Sequence, residues 1–421
     1  MISSIIVREF IPALDKPLLY LAIFSGWMGA VLLAGRTRLL QRWVIAVMIV
    51  VGLVLLVIVQ QRAGEAPWLK AASQSLPLVT MILSVGFMKR IALRAISSQS
   101  TVPTGFKAYR DTVFTVAVFG AFINISALII VSDRLSNYAQ LNQHQVAAVT
   151  RAFSSCVNWS PFFAGLAVVI SFSPVFSVTT VVLQGIPLAL MSVGLTLFLA
   201  WLKRDELERV YGFPAKWSSL WIPTVLGIVV IAFRYLFDSI SLLPLIASAA
   251  LLVVFVVLLI TDGFSKTVTT IHTHIVEDLP RSANELTLLL GVGVLAVGMV
   301  AWVSLGDVNW IPPAFTGLPA AMLLAAMIVI AMMGIHPVVT IALASAILLP
   351  VNPNPELLAT TMLLGWSLGT LACPLSGTHL TMQGRYGLSS WTNATNQWWY
   401  VAGMYILGSV WLFMLAAWHQ V

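Results

Sequence analysis

Ser154-Ser155-Cys156-Val157-Asn158-Trp159-Ser160-Pro161 and Cys373-Pro374-Leu375-Ser376-Gly377-Thr378 are two clusters of small, polar and helix-breaking residues. Each sits inside a long apolar stretch, 145–173 and 356–387. Proline removes a backbone donor and glycine weakens a helix. Inside a bilayer, opened backbone survives only where protein covers it or where it lines a wet cavity. Each stretch is also longer than the roughly 17–25 residues of one plain span. The expected structure of each is therefore a re-entrant hairpin, two short arms with a polar tip partway through the membrane. The alternative is a single kinked span.

The rest of the chain supports a membrane setting. Of its 421 residues 59% are hydrophobic and only 9% charged, and its mean hydropathy is +0.97. Soluble domains carry about 25% charged and about 45–50% apolar residues. A water-soluble enzyme and a disordered chain are both excluded, and two cysteines are too few for a disulfide framework. Ten ordinary spans are expected, at 17–35, 43–60, 76–93, 112–131, 175–202, 217–237, 242–261, 286–305, 316–350 and 397–418. The first is read as an uncleaved span, since no small-residue cleavage site follows it.

The net charge of +7 belongs to the loops and not to a nucleic-acid face, because no basic stretch is interleaved with stacking aromatics. Loops carrying Arg36, Arg38 and Arg42, then Lys89, Arg90, Arg94, Lys107 and Arg110, then Lys203, Arg204, Arg209 and Lys216 are expected in the cytoplasm. Loops around Glu65, Asp133, Asp238 and Asp307 are expected outside, as are both termini. These sides alternate correctly only if the first interrupted stretch, 145–173, returns to the side it entered from, which a hairpin does and a crossing does not. The setting expected is a bacterial-type inner (cytoplasmic) membrane, crossed many times.

The chain also repeats itself. Phe119-Gly120-Ala121-Phe122-Ile123-Asn124-Ile125-Ser126 opens a run like Met333-Gly334-Ile335-His336-Pro337-Val338-Val339-Thr340. Ser160 and Ser376 are as far apart in sequence as Ser173 and Ser389, and Leu76-Pro77-Leu78-Val79 faintly matches Glu285-Leu286-Thr287-Leu288. Two repeats are expected, 1–203 and 217–421, joined by a cytoplasmic linker at 204–216. Five spans per repeat is an odd number, so the second repeat is inverted. Inverted repeats with broken helices are a common architecture of secondary transporters. The fold class expected is thus all-α and polytopic, about ten transmembrane helices plus two re-entrant hairpins, with elevator-type scaffold and transport parts. The first three spans of each repeat form the scaffold, and the hairpins with their flanking spans form the moving part.

On these features the chain resembles the ion transporter superfamily, which includes divalent-anion/sodium symporters and citrate, gluconate and C4-dicarboxylate permeases. Asn284-Glu285-Leu286, opening a glycine-containing span, has the same look. The symporters carry a Ser-Asn-Thr type signature in each tip; here the tips read Ser154-Ser155-Cys156-Val157-Asn158 and Ser376-Gly377-Thr378. The resemblance implies secondary transport and a homodimer joined through the scaffold.

The chemistry expected at the tips follows from helix ends. A half-helix starting inside the membrane aims unpaired amides and the positive end of its dipole at the tip, which suits a carboxylate or oxyanion. Asn158, Ser160, Ser376, Gly377 and Thr378 are the candidate solute ligands. Arms ending at the tip present carbonyls, which together with hydroxyls suit Na⁺. Ser154, Ser155 and Cys373 are the candidates for cation coupling, and His336 and His379 for a coupled proton. Small residues that merely let helices approach closely are the competing explanation. Arg151 and Arg385 read as interfacial anchors. His272, His274, Glu277 and Asp278 have metal-ligand chemistry, yet a polar amphipathic helix in a loop explains them better.

No catalytic motif is present, and the loops are too small for a catalytic domain. The expected function is alternating-access transport of a small anionic solute, coupled to Na⁺ or H⁺ and needing no cofactor. A membrane enzyme of glycan or lipid metabolism and a channel are the rivals. Both cysteines are expected to be free thiols.

Overall fold

The structure, a computed structural model, describes residues 15–37, 39–91, 103–173, 176–213, 221–237, 240–306, 314–348 and 351–421. Arg38, Arg94, Lys216, Asp238 and Asp307, used above to assign sides, lie outside these residues. In chain order the first helices are α1 (Asp15–Ala34), α2 (Leu39–Ala63), α3 (Trp68–Ser73), α4 (Leu76–Gly86), α5 (Gly105–Ile123), α6 (Ile125–Ser136), α7 (Gln143–Ser155), α8 (Ala164–Phe172) and α9 (Val178–Leu202). Then follow α10 (Trp221–Leu236), α11 (Leu242–Thr273), α12 (Ala283–Val303), α13 (Gly317–Met332), α14 (Pro337–Leu348), α15 (Pro355–Ala372), α16 (Gly377–Tyr386), α17 (Ser390–Thr395) and α18 (Trp398–Trp418). Among the described residues 8 helical stretches are long and apolar enough to cross a membrane, where ten spans were expected.

Two compact units are formed, Met1–Ala95 with Ser219–Asn309 and Ile96–Ser218 with Trp310–Val421. Each takes one segment from either half of the chain.

Close backbone approach holds the first unit together. A Cβ on Gly52 of α2 would lie 2.7 Å from the Val294 carbonyl of α12, and one on Gly298 would lie 2.6 Å from the Gly52 carbonyl. Only glycines let two helices meet at that distance. Ser75 donates to the Leu289 carbonyl at 2.7 Å and Trp27 to the Ala72 carbonyl at 3.0 Å. Tyr20, Leu21, Phe24, Val31 and Leu32 of α1 are exposed apolar side chains, as a lipid-facing helix requires. Helix α11 does not stop near residue 261 as expected. It kinks at Gly263 (φ 74°) and continues to Thr273, followed by a wider turn over His274–Asp278.

Side-chain caps punctuate the second unit. Asn142 and Gln145 form a reciprocal capping box at the start of α7. Ser177, Asn354, Ser376 and Ser389 each accept an amide at the start of α9, α15, α16 and α17. One end of this unit is marked by Tyr211. Thr104, just before α5, bridges to it. The Tyr138 ring, just after α6, lies 5.9 Å from the Tyr211 ring. Gln145, opening α7, donates to the Tyr211 carbonyl at 2.9 Å. So α5 leaves this end, the chain reverses at Asn124 (φ 50°), and α6 comes back to it.

The opposite end is marked by Glu356. Its carboxylate accepts from the Ser177 amide at 3.3 Å, and nearby Gln184 meets His419 at 2.9 Å, beyond the end of α18. Gly317, opening α13, packs on Phe413 late in α18, and Ser345 near the end of α14 donates to the Phe172 carbonyl at the end of α8. Helices α13 and α14 therefore also double back, about a turn at 333–336, from the Glu356 end.

This corrects the expectation for 145–173 and 356–387. Helix α15 meets that first stretch in order: Met362 accepts from Ser173, Trp366 packs on Gly165, and Ser367 bonds Ser154. A hairpin would bring both of its ends to one level on α15; α7 and α8 instead run past it from one end of the unit to the other. Helices α15 and α16 likewise pass from Glu356 to Arg385, which pairs with Asp133 of α6 near the Tyr211 end. The doubled-back pairs are the runs expected to be plain spans, 112–131 and 316–350. In each half one stretch runs from end to end and the other doubles back, the reverse of the roles expected. A second correction follows. The loop after Asp133 lies at the same end as Lys203 and Arg204, since His144 meets Glu206 at 3.1 Å; it was expected on the other side.

Candidate functional site

Both polar clusters do interrupt helices, and both lie in the second unit. Helix α7 ends at Ser155, a tight turn follows over Cys156–Asn158, and α8 starts at Ala164. Helix α15 ends at Ala372 and α16 starts at Gly377.

The first break is stitched to its surroundings. Ser154 donates to the Ser367 carbonyl at 2.6 Å, and Ser367 donates back to the Ser154 carbonyl at 2.9 Å. The Asn158 amide reaches Ser367 Oγ at 3.5 Å, while Asn158 Oδ1 is buried with no hydrogen-bond partner. Ser155 donates to the Ala152 carbonyl at 2.7 Å, and Ser160 donates to the Ala121 carbonyl and accepts from the Phe162 amide at 3.2 Å. The Cys156 thiol points at the Ala117 carbonyl, 3.1 Å away. Asn124, at the reversal between α5 and α6, donates to the Phe162 carbonyl at 3.0 Å. Gly185 of α9 presses so closely on the Asn158 carbonyl that no Cβ fits there.

Fewer bonds hold the second break. Ser376 caps α16 by accepting from the His379 amide, and the Cys373 carbonyl accepts from the Ser376 amide at 3.1 Å. His379 is fully buried; its Nε2 meets the Leu371 carbonyl at 2.9 Å, and its Nδ1 has no partner. Thr378 is buried, whereas Gly377 is exposed, and a Cβ there would meet nothing within 4 Å. Amides at the start of a helix have no partner inside it, so Gly377 and Thr378 offer donors beside open space.

The doubled-back pairs reach the breaks as well. Gly334 (φ +94°) packs on Leu375, and Gly369 packs on Pro337. The His336 ring stands edge-on to Trp366 at 5.4 Å, and its Nδ1 accepts from the Val338 amide at 3.2 Å.

Ser154 and Asn158 are thus brought together through Ser367, and Ser376 with His379. Among the described residues neither Asn158 nor Ser160 hydrogen-bonds to Ser376, Gly377 or Thr378. Sequence reading missed Ser367, Trp366 and Asn124. The signals available were a polar residue between Gly365 and Gly369 in a buried run, and an asparagine, which tolerates positive φ, inside an apolar one. Both cysteines are buried free thiols. In the first unit His274 bonds Asp278, which also pairs with Arg90 at 2.5 Å and Lys89 at 3.4 Å. No group of three or more potential metal-ligating His, Cys, Asp or Glu side chains is found among the described residues.

No family model and no curated protein matches the chain by sequence. Among solved structures it is similar to the YdaH transporter of Alcanivorax borkumensis, whose crystal structure is described as revealing an unusual topology. The TM-score is 0.54 at 13% identity, over 82% of this chain and 85% of that one. At that identity the likeness carries the fold alone. The chain is a polytopic helical protein with a transporter as its structural neighbour.

Proposed function

We propose that the protein is a secondary active transporter that moves a small anionic solute, a carboxylate or an oxyanion, across the inner membrane by alternating access. One observation carries this reading: two interrupted crossings run side by side in one unit, each with the turn of a doubled-back pair against its break. Helix ends opened at membrane depth are costly in lipid and useful around a passenger.

In this reading the doubled-back pairs α5–α6 and α13–α14 are the re-entrant elements, and the second unit carries the solute. The amides of Gly377 and Thr378 hold the acid group, with Asn158, Ser160 and Ser376 completing the solute set. Ser154, Ser155 and Cys373 supply oxygens and carbonyls for Na⁺; His336 and His379 serve if the coupled ion is H⁺. A homodimer joined through the first unit belongs to the same reading.

Counterflow in proteoliposomes tests it. Vesicles preloaded with succinate, benzoate or sulfate should accumulate the same radiolabelled anion transiently and saturably, and a Na⁺ or H⁺ gradient should drive net uptake. Flux that never saturates would point to a channel, and no flux with any of the three would remove the anion-carrier reading.

A further inference from the structure

Arg151 sits in α7 eight residues beyond Gln143, roughly 12 Å along the helix from the Tyr211 end, and one turn before Ser154. That depth does not fit an interfacial anchor. The side chain is held where it is: its Nε donates to Gln397 Oε1 at 2.7 Å, and its guanidinium carbon lies 4.4 Å from the centre of the Tyr400 ring. Tyr400 is in turn fixed by Ser192, the two hydroxyls being 2.6 Å apart. Tyr109 and Tyr400 are the titratable groups facing it. No carboxylate pairs with Arg151 among the described residues, and none of them accepts a hydrogen bond from its two terminal nitrogens.

A second observation points to the same place. Ser154 of α7 faces Ser367 of the antiparallel α15, so one turn further Arg151 faces Thr370. The Thr370 hydroxyl is buried, 7% exposed, and has no partner. Ala372, two residues on, accepts from Trp398, the neighbour of Gln397. By that register a fixed cation with two unpaired terminal nitrogens and an idle hydroxyl lie at one level, between the two breaks. Arg151 is half-buried, and a charge partly withdrawn from water without a counter-ion is costly unless something arrives to neutralise it.

We propose that Arg151 binds the negative charge of the solute, with Thr370 donating a further hydrogen bond to the same carboxylate or oxyanion. This rests on the carrier reading and adds the charged ligand that it lacks. Cation–π packing on Tyr400 and the Gln397 bond orient the guanidinium so that its terminal edge is presented to the anion.

The experiment uses the full-length protein purified in detergent, melted in sodium succinate, benzoate or sulfate against sodium chloride at equal Na⁺. At least one of the three anions should raise the Tm of the wild type saturably. Arg151→Gln should abolish that rise, Arg151→Lys should keep it with a midpoint about tenfold higher, and Thr370→Val should weaken it less. Arg151→Lys also serves as the folded control if Arg151→Gln is unstable. A wild-type midpoint in either Arg151→Gln or Arg151→Lys would overturn the proposal, as would a wild type that none of the three anions stabilises. Counterflow with the same labelled anions separates the two levels. Equal exchange by wild type and Arg151→Gln removes the role of Arg151 and leaves the carrier. Absent exchange by the wild type removes the carrier itself.

Discussion

The two breaks in the second unit are built from similar residues and are held in different ways. At the first, the hydroxyls of Ser154, Ser155 and Ser160 all donate to backbone carbonyls, and Gly185 clamps the turn from behind. At the second, Gly377 faces open space, and a cap and a histidine contact are the main ties. The ends of the flanking arms differ as well. Near the Tyr211 end Arg385 makes a forked pair with Asp133, at 2.5 and 2.6 Å, joined by Tyr386 at 2.7 Å. Among the described residues the corresponding contact at the Glu356 end is a neutral bond from Ser345 to Phe172. The lesson is one of division: the first break is tied down on several sides, and the second leaves the amides of Gly377 and Thr378 open, where the proposed solute would bind.

Substitutions sharpen this contrast. Gly185→Leu drives a side chain into the Asn158 carbonyl and should cost roughly 3 kcal/mol or prevent folding; a melting curve in detergent like that of the wild type would break the idea of a clamped joint. Ser367→Ala removes the hydroxyl that ties α15 to Ser154 and Asn158, and should cost about 1–3 kcal/mol. A shift in Tm appearing with Ser376→Ala but not with Ser367→Ala would reverse the assignment of rigid and open breaks. Asp133→Asn loosens a half-exposed ion pair and should cost about 1 kcal/mol or less, most of it screened at high salt. Gly377→Ala should leave Tm unchanged, because its added methyl meets nothing, yet it should lower solute affinity by crowding the amides; unchanged counterflow would detach the second break from binding.

How much of this was legible in the sequence depends on what a signal measures. The clusters at 154–161 and 373–378 announced helix interruptions, because glycine, proline and side-chain competitors act locally. Direction is not local. The apolar run 112–131 passes from α5 through Asn124 into α6, so a hydropathy window cannot distinguish a crossing from an arm that turns back there. The match between 119–126 and 333–340 spans both reversals, but it served only as a repeat signal, and with Asn124 alone at the first and Gly334 and Pro337 at the second both runs passed as ordinary spans. Loop charge assigned the return to 145–173 because the loop at Asp133 was placed outside, and that placement was the wrong one. Ser367 and Thr370 were invisible for a different reason. Their roles come from the register between α7 and α15, a tertiary fact that no spacing in one helix encodes.

The central claim is that 145–173 crosses while α5 and α6 return. Single cysteines at Ala139 and Thr179, both exposed, flank the crossing, and the two native thiols are buried. In intact cells and in inverted vesicles, an impermeant maleimide should label Ala139→Cys only from the cytoplasmic side and Thr179→Cys only from the opposite side. Labelling of both from one side would contradict the account.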